Sequence, residues 1–494
     1  MGRAVIFLLF LLFAGCGELF DLDDSTLVPL TPEIAVPLIS TQTSFQEILD
    51  ATDDVVQFEV DQSGLLTLVY PGDTIDVTAQ QLLLPIPVFD DILLLDTVSA
   101  FGLPFIPGVT IDEAVFKSNS LFFTVVPPNS DSYSITATIP SFRKNNEALA
   151  VTFEVPSGMI GQTVQSAFVD LNGVEVIGSL DSIGINYDAR NSAGERVSFN
   201  SLRLDIDFVN FSFVQGSFTT QVFPIPERTI RVNTFSNVVS GEVVFNNPLL
   251  EIEINNSFGF PIEPAVNELS IIDNLGDASP FSSDLFLPGM ILLDYPRIGE
   301  ELVAKSTIIE LNKDNSNIAD IFDQESQLIS LDIDAIAFPE SSEESKGFIS
   351  EDSNLNIQTE LKIPLEGEVS DYIIFENYAI DSLLELESVE ELQLNIGVKN
   401  GLPVDVSFQI HFVGKSFNII DSLFNEPIII PQNENPESQF TTTVIVSQEK
   451  IQKIIPSGFI RTFIGFIQNE NETVRILNSD EIEIEVGAII KTEI

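Results

Sequence analysis

The chain has 494 residues but only one histidine, His411, and one cysteine, Cys16. These two side chains do most of the nucleophilic, general-base and metal-ligand work in proteins. One of each excludes a zinc site of the usual kind, which needs several. A serine–histidine–acid triad would have to use His411, and no Gly-x-Ser-x-Gly elbow accompanies it. No phosphate loop or dinucleotide fingerprint is present. His411 sits between Ile410 and Phe412 in an alternating run, so it reads as an ordinary strand histidine. A carboxylate pair could in principle hydrolyse a glycoside, but with 75 acids no single pair stands out. Asp314, Asn315, Ser316, Asn317 and Asp320 could offer oxygens to calcium. The EF-hand spacing and its glycine are missing there, and a turn with a helix cap explains the same residues. No catalytic residue, metal ligand or cofactor is assigned, and a non-enzymatic protein is expected.

Cys16 has a different chemistry available. Arg3 is the only charge in the first sixteen residues, Ala4 to Phe13 is unbroken and apolar, and Ala14 and Gly15 precede the cysteine. A basic start, an apolar run and small residues form a secretory signal. The run is shorter than the ~20 residues a helix needs to cross a bilayer. Ala14, Gly15 and Cys16 resemble the bacterial lipobox, with Phe13 where that motif usually has leucine. The resemblance implies cleavage before Cys16 and a lipid on its sulfur. Glu18, Asp21, Asp23 and Asp24 follow within eight residues. They resemble the acidic export tag of Bacteroidota-type lipoproteins, which implies display on the outer face of the outer membrane. A plain acidic tether accounts for the same residues.

The formal charge of −54 argues against nucleic acid and anionic headgroups as partners, because phosphate binding needs clustered Lys and Arg. Disorder does not follow, since 44% of the chain is hydrophobic and 39 residues are Phe. There is no Trp and only six Tyr, which lowers the expectation of a sugar-binding face.

The positioning elements are strands. Tyr133, Ile135, Ala137 and Ile139 alternate with polar residues, as do Val151, Phe153 and Val155, then Leu202, Leu204, Ile206 and Phe208, and finally Ile482, Ile484 and Val486. Period-two patterns of this kind give antiparallel sheets with one wet face. The alternation changes phase near Val209, which predicts a β-bulge. Short helices are expected after Ser44 with Glu47, at Ser316 ahead of Ile318, Ile321 and Phe322, after Ser388 with Glu391, and after Ser447 ahead of Ile451, Ile454 and Ile455. The fold class is all-β, mainly antiparallel sandwiches or one elongated curved sheet, with a few short helices.

One pattern occurs twice. Glu251 to Asn255 runs into Gly259-Phe260-Pro261-Ile262-Glu263, and Leu392 to Asn400 runs into Gly401-Leu402-Pro403-Val404-Asp405. Glycine would supply the unusual turn angles and proline the entry to the next strand. A duplicated β-module and two hairpins with shared turn chemistry both fit. The expected segments are a signal peptide at 1–15, a lipidated acidic tether at 16–32, an N-terminal β-rich domain at 33–240, a β-module at 241–345 and a C-terminal β-rich module at 346–494.

The lipobox with its acidic tail, PEIAVPLISTQTSFQEIL (Pro32 to Leu49), NSFGFPIEP (Asn256 to Pro264) and NGLPVDVSFQIHF (Asn400 to Phe412) together resemble Bacteroidota surface lipoproteins. The repeated module is similar to the late-embryogenesis-abundant type 2 β-sandwich and, more distantly, to tubular lipid-binding folds. These resemblances imply an all-β body with apolar seams and carry no catalytic residue across. Leu82 to Pro107 is apolar but broken by four prolines. It reads as a buried β-edge with loops, or as an apolar lip in which Leu84, Ile86, Val88, Phe89, Phe101 and Phe105 meet a lipid or an outer-membrane partner. Three functions stay open: binding a partner or scaffolding an outer-membrane complex, carrying lipid in a β-groove, and glycan binding.

Overall fold

The computed structural model describes residues 33–44, 56–82, 89–95, 97–102, 110–178, 182–206, 210–232, 238–301, 303–323, 325–379, 389–432, 438–454, 456–468 and 473–492. The fold is all-β: every strand pairing among these residues is antiparallel, and only short helical turns interrupt the sheets. Tyr133, Ile135, Ala137 and Ile139 are buried while their polar neighbours are not, and the other three alternating runs behave the same way over their described residues, Phe208 lying outside them. Alternation decides the strand because side chains of successive residues leave opposite faces.

The N-terminal sandwich joins a five-stranded sheet, built around Ser120–Val125, to a nine-stranded sheet built around Tyr133–Lys144. Phe116, Phe123, Phe142 and Phe199 fill one core between them. The phase change near Val209 falls on residues outside the described set, and the register shifts between Phe211 and Phe213. The strand Lys346–Ser350 closes one edge of this sandwich by pairing with Phe211–Ser217. Leu66–Pro71, near the N-terminus, pairs with Asn354–Pro364. Sheets therefore draw strands from distant stretches of chain rather than following sequence segments.

The repeated pattern belongs to two modules of the same topology. In the first, Leu249–Asn256 is flanked by Asn354–Pro364 and Lys305–Leu311, and Ile262–Asp273 by Ser326–Ala337 and Ala278–Pro280. In the second, Val389–Asn400 is flanked by Glu481–Thr492 and Gln439–Val446, and Asp405–Gly414 by Ser457–Ile467 and Ile419–Ser422. Strand for strand, the chain order and the pairing order agree. Each module also places a short α-helix at the same step, Ile318–Ile321 and Gln448–Ile454.

Two helix expectations hold and one fails. Ser447 accepts the amide of Lys450 and opens Gln448–Ile454, whose Ile451 and Ile454 are buried. Ile318 and Phe322 are buried as expected, with Asn317 at the cap and the Ser316 hydroxyl accepting the Ile318 amide at 3.4 Å. Glu391, by contrast, lies in the strand Val389–Asn400 and pairs with Lys491 at 3.3 Å. Two flanking strands override a local capping signal there. Ser388 and the Phe45–Ile48 stretch lie outside the described residues, and Ser44 ends the strand Glu33–Ser44.

Candidate functional site

The repeated motif turns out to be a loop clamp. Asn256 and Asn400 end the first strand of each module and are 0% and 1% exposed. Each side-chain oxygen accepts the amide two residues on, Phe258 at 2.9 Å and Leu402 at 3.0 Å. Each side-chain amide donates to the long loop ahead of the fourth strand. Asn256 reaches the Asp294 carbonyl at 3.2 Å; Asn400 reaches Ile430 at 3.2 Å and Pro431 at 3.0 Å, besides Val404 at 2.8 Å. The acids at the end of the motif hold the same loop. Glu263 accepts from the Gly289 amide and the Ser341 hydroxyl, and Asp405 from the Gln432 amide. The glycines serve close approach rather than unusual angles. A Cβ on Gly259 would sit 2.1 Å from the Phe348 ring, and one on Gly401 would sit 2.5 Å from the Glu481 carbonyl. This corrects the expectation drawn from turn chemistry.

The clamp in the second module leads directly into Gln439–Val446, the outermost strand of its sheet. The outer face of that sheet is dished by about 610 Å³. Two glycines make the dish: Gly487 stands opposite Asn395, and Gly397 opposite Glu485. A Cβ on Gly487 would meet nothing within 4 Å, so the space is open. The walls are polar. Thr443 donates to Asn395 at 2.8 Å, Lys399 pairs with Glu483 at 2.8 Å, and Thr441, Gln439 and Glu485 complete the lining. Glu483 raises the Lys399 ammonium above its ordinary value, first by hydrogen bonding and then by charge. Hydroxyls, amides and carboxylates of this kind can hold the polar side chains of a bound segment.

Beside the dish runs an unguarded edge. Gln439–Val446 reads QFTTTVIV and carries no charge and no proline. Among the described residues, no strand pairs with its outer side. The matching edge of the first module, Lys305–Leu311, carries Lys305 and Glu310. Exposed edges are normally blunted by charge, proline or a bulge, because their free N–H and C=O groups template another strand.

The residues singled out from sequence are placed as follows. Cys16, Glu18, Asp21, Asp23 and Asp24 lie outside the described residues, as do Leu84, Ile86, Val88 and Phe105. Phe89 begins a strand and stands opposite Ile206. Phe101 is 9% exposed and belongs to the N-terminal core. Three of the five side chains considered for calcium are engaged otherwise: Asn315 accepts from the Asn312 amide, Ser316 donates to the Asn312 carbonyl, and Asn317 accepts from the Ser282 amide. Among the described residues, no group of three His, Cys, Asp or Glu side chains is arranged to hold a metal, and no helix is long and apolar enough to cross a membrane. Sequence reasoning missed the dish and the edge. Their only signals were two strand glycines and an uncharged strand in a very acidic chain.

The class that the fold defines is an antiparallel all-β protein with a duplicated sandwich module. No protein-family model and no curated protein matches the chain. Among solved structures it is similar to a candidate secreted protein from Parabacteroides distasonis, 9% identical over 94% of this chain and 99% of that one, with a TM-score of 0.27. It is also similar to a structure of infectious bursal disease virus, Gx strain, 7% identical over 89% and 81% with a TM-score of 0.13, and to PNGF-II, 11% identical over 61% and 66% with a TM-score of 0.13. Likenesses this remote carry no argument about function.

Proposed function

We propose that this chain is an exported lipoprotein, lipidated on Cys16 and displayed at the outer face of the outer membrane, that binds a partner protein without chemistry of its own. The observation that carries the binding reading is the uncharged edge Gln439–Val446, unpaired on its outer side among the described residues, beside the polar dish. An extended segment of a partner would add to that edge through main-chain hydrogen bonds, and its outward side chains would enter the dish. Recognition by strand addition draws affinity from the backbone and specificity from alternate side chains. The internal comparison supports it: one module guards its edge with charge and the other leaves it bare. The lipid-carriage reading draws less support, because phenylalanines such as Phe116, Phe123, Phe258 and Phe408 are spent in packed cores. The glycan reading would use the same dish, but no aromatic ring lines it.

A photo-crosslinking residue at Ile445, which is 67% exposed, tests the binding site in the native host. The same residue at Ile308, 57% exposed on the matching edge, is the control. A discrete adduct is expected from position 445 alone and should vanish in Thr441→Lys, which restores an edge charge. No adduct, or the same adduct from position 308, overturns the reading. The anchor is tested separately: Cys16→Ser should abolish labelling by radioactive palmitate and release the protein from the membrane fraction, and retained labelling refutes it.

A further inference from the structure

The opposite face of the second module holds a different cluster. Asn377, Arg461, His411 and Ser422 form one cross-strand row on the outside of the seven-stranded sheet. Arg461 and His411 are direct partners, and directly opposed side chains have Cβ atoms only ~5 Å apart. Each is fixed from its far side. The Arg461 Nε donates to Asn377 at 2.7 Å, and its guanidinium lies 4.4 Å from the centre of the Phe375 ring. The His411 Nδ1 is 2.7 Å from the Ser422 hydroxyl, and its ring meets Phe463 edge-on at 4.6 Å. Lys450 donates to the Ser422 and Leu423 carbonyls, which brings a third basic group to the same corner.

This gathering is unusual for a chain with a formal charge of −54. Arg190, Arg196, Arg297 and Arg475 all close on carboxylates. Among the described residues, Arg461 has no carboxylate at ion-pair distance; its polar bond is to an amide. Opposed cations are destabilising in a sheet, and here burial and Arg461 lower the basicity of His411. A guanidinium held by Nε and stacked on a ring keeps its two terminal nitrogens as a preset fork, the geometry that matches a carboxylate.

We propose that Arg461 and His411 form a binding site for a small organic carboxylate, held by the terminal nitrogens of Arg461 and the Nε2–H of His411, with its apolar body against the neighbouring phenylalanine rings. The carboxylate supplies the negative charge that the row lacks, and the rings around it favour a flat or apolar body over a bare ion. The site lies on the sheet opposite the partner-binding edge and does not depend on that reading.

His411 is the only histidine, so the full chain labelled with carbon-13 histidine gives one ring signal to follow. Benzoate is the probe, with acetate and inorganic phosphate as parallel arms. The expected result is a saturable shift of the His411 signal with benzoate, a rise in its titration midpoint, and about tenfold weaker binding in Arg461→Gln. The charged groups nearest His411 are Arg461 across the strand pair and Lys450, which donates to the Ser422 carbonyl. A linear, non-saturating response refutes the proposal. So does an equal response to acetate, a stronger one to phosphate, or unchanged binding in Arg461→Gln. The wild-type titration decides the matter alone if that variant fails to fold.

Discussion

Asn400→Ala offers the most quantitative test of the loop clamp. The side chain makes four hydrogen bonds, to the Leu402 amide and to the carbonyls of Val404, Ile430 and Pro431. Losing one partner of a buried hydrogen bond costs about 1–3 kcal/mol. Carbonyls keep a second lone pair and the loop can relax, so about 1 kcal/mol per bond is the appropriate end of that range. The two amide hydrogens are shared among the three carbonyls, so three bonds' worth are lost and the expected cost is about 3 kcal/mol. The matching Asn256→Ala breaks two bonds, to Phe258 and Asp294, and should cost about 2 kcal/mol. Asn400→Asp should be worse than alanine, because it keeps the acceptor for Leu402 but turns an oxygen toward three carbonyls. Three separate cores need not unfold together, so a single melting point is a poor measure. Hydrogen exchange of amides in 401–432 reads the local opening free energy instead. A cost below about 1 kcal/mol for Asn400→Ala, or an equal cost for the two asparagines, would refute the clamp.

The other expectations concern the glycines, the histidine and the N-terminal core. Gly401→Ala drives a Cβ against the Glu481 carbonyl and should cost about 2 kcal/mol, whereas Gly487→Ala meets open space and should gain about 0.5 kcal/mol; hydrogen exchange of the amides in Val389–Asn400 and Glu481–Thr492 checks both. His411 has a lowered pKa, through burial first and Arg461 second, so the folded protein favours its neutral form. Its contribution to stability is therefore complete above its ordinary value of 6.5 and is lost as pH falls through the lower folded value; its single ring signal should titrate below 6.5 in the absence of added carboxylate. Phe101→Ala should destabilise the N-terminal core by about 3 kcal/mol in denaturant unfolding, while a lip residue would cost little.

Much of the local architecture was legible from residue types. Tyr133 to Ile139 and Ile482 to Val486 could only be half-buried strands, because period two cannot place an apolar stripe on a helix. The Ser447 helix was legible as well, since its cap and its buried isoleucines lie close together in the chain. Glu391 was misread because a capping box is a local signal, while membership of a sheet is settled by its partner Lys491, 100 residues away in Glu481–Thr492.

The chemical inventory is set by the sequence: one histidine, one cysteine, a heavy acidic charge and two copies of an asparagine–glycine–proline–acid motif. None of this depends on folding. Only the tertiary structure decided what these residues do. It brought Asp294 to Asn256 and Pro431 to Asn400, turning a turn motif into a clamp. It set Gly397 and Gly487 on neighbouring strands, so that two missing side chains became one dish. It left Gln439–Val446 at an edge and set His411 opposite Arg461. The physical reason is the same in each case. Cross-strand neighbours are chosen by register between segments far apart in the chain, and register leaves no mark on any single segment.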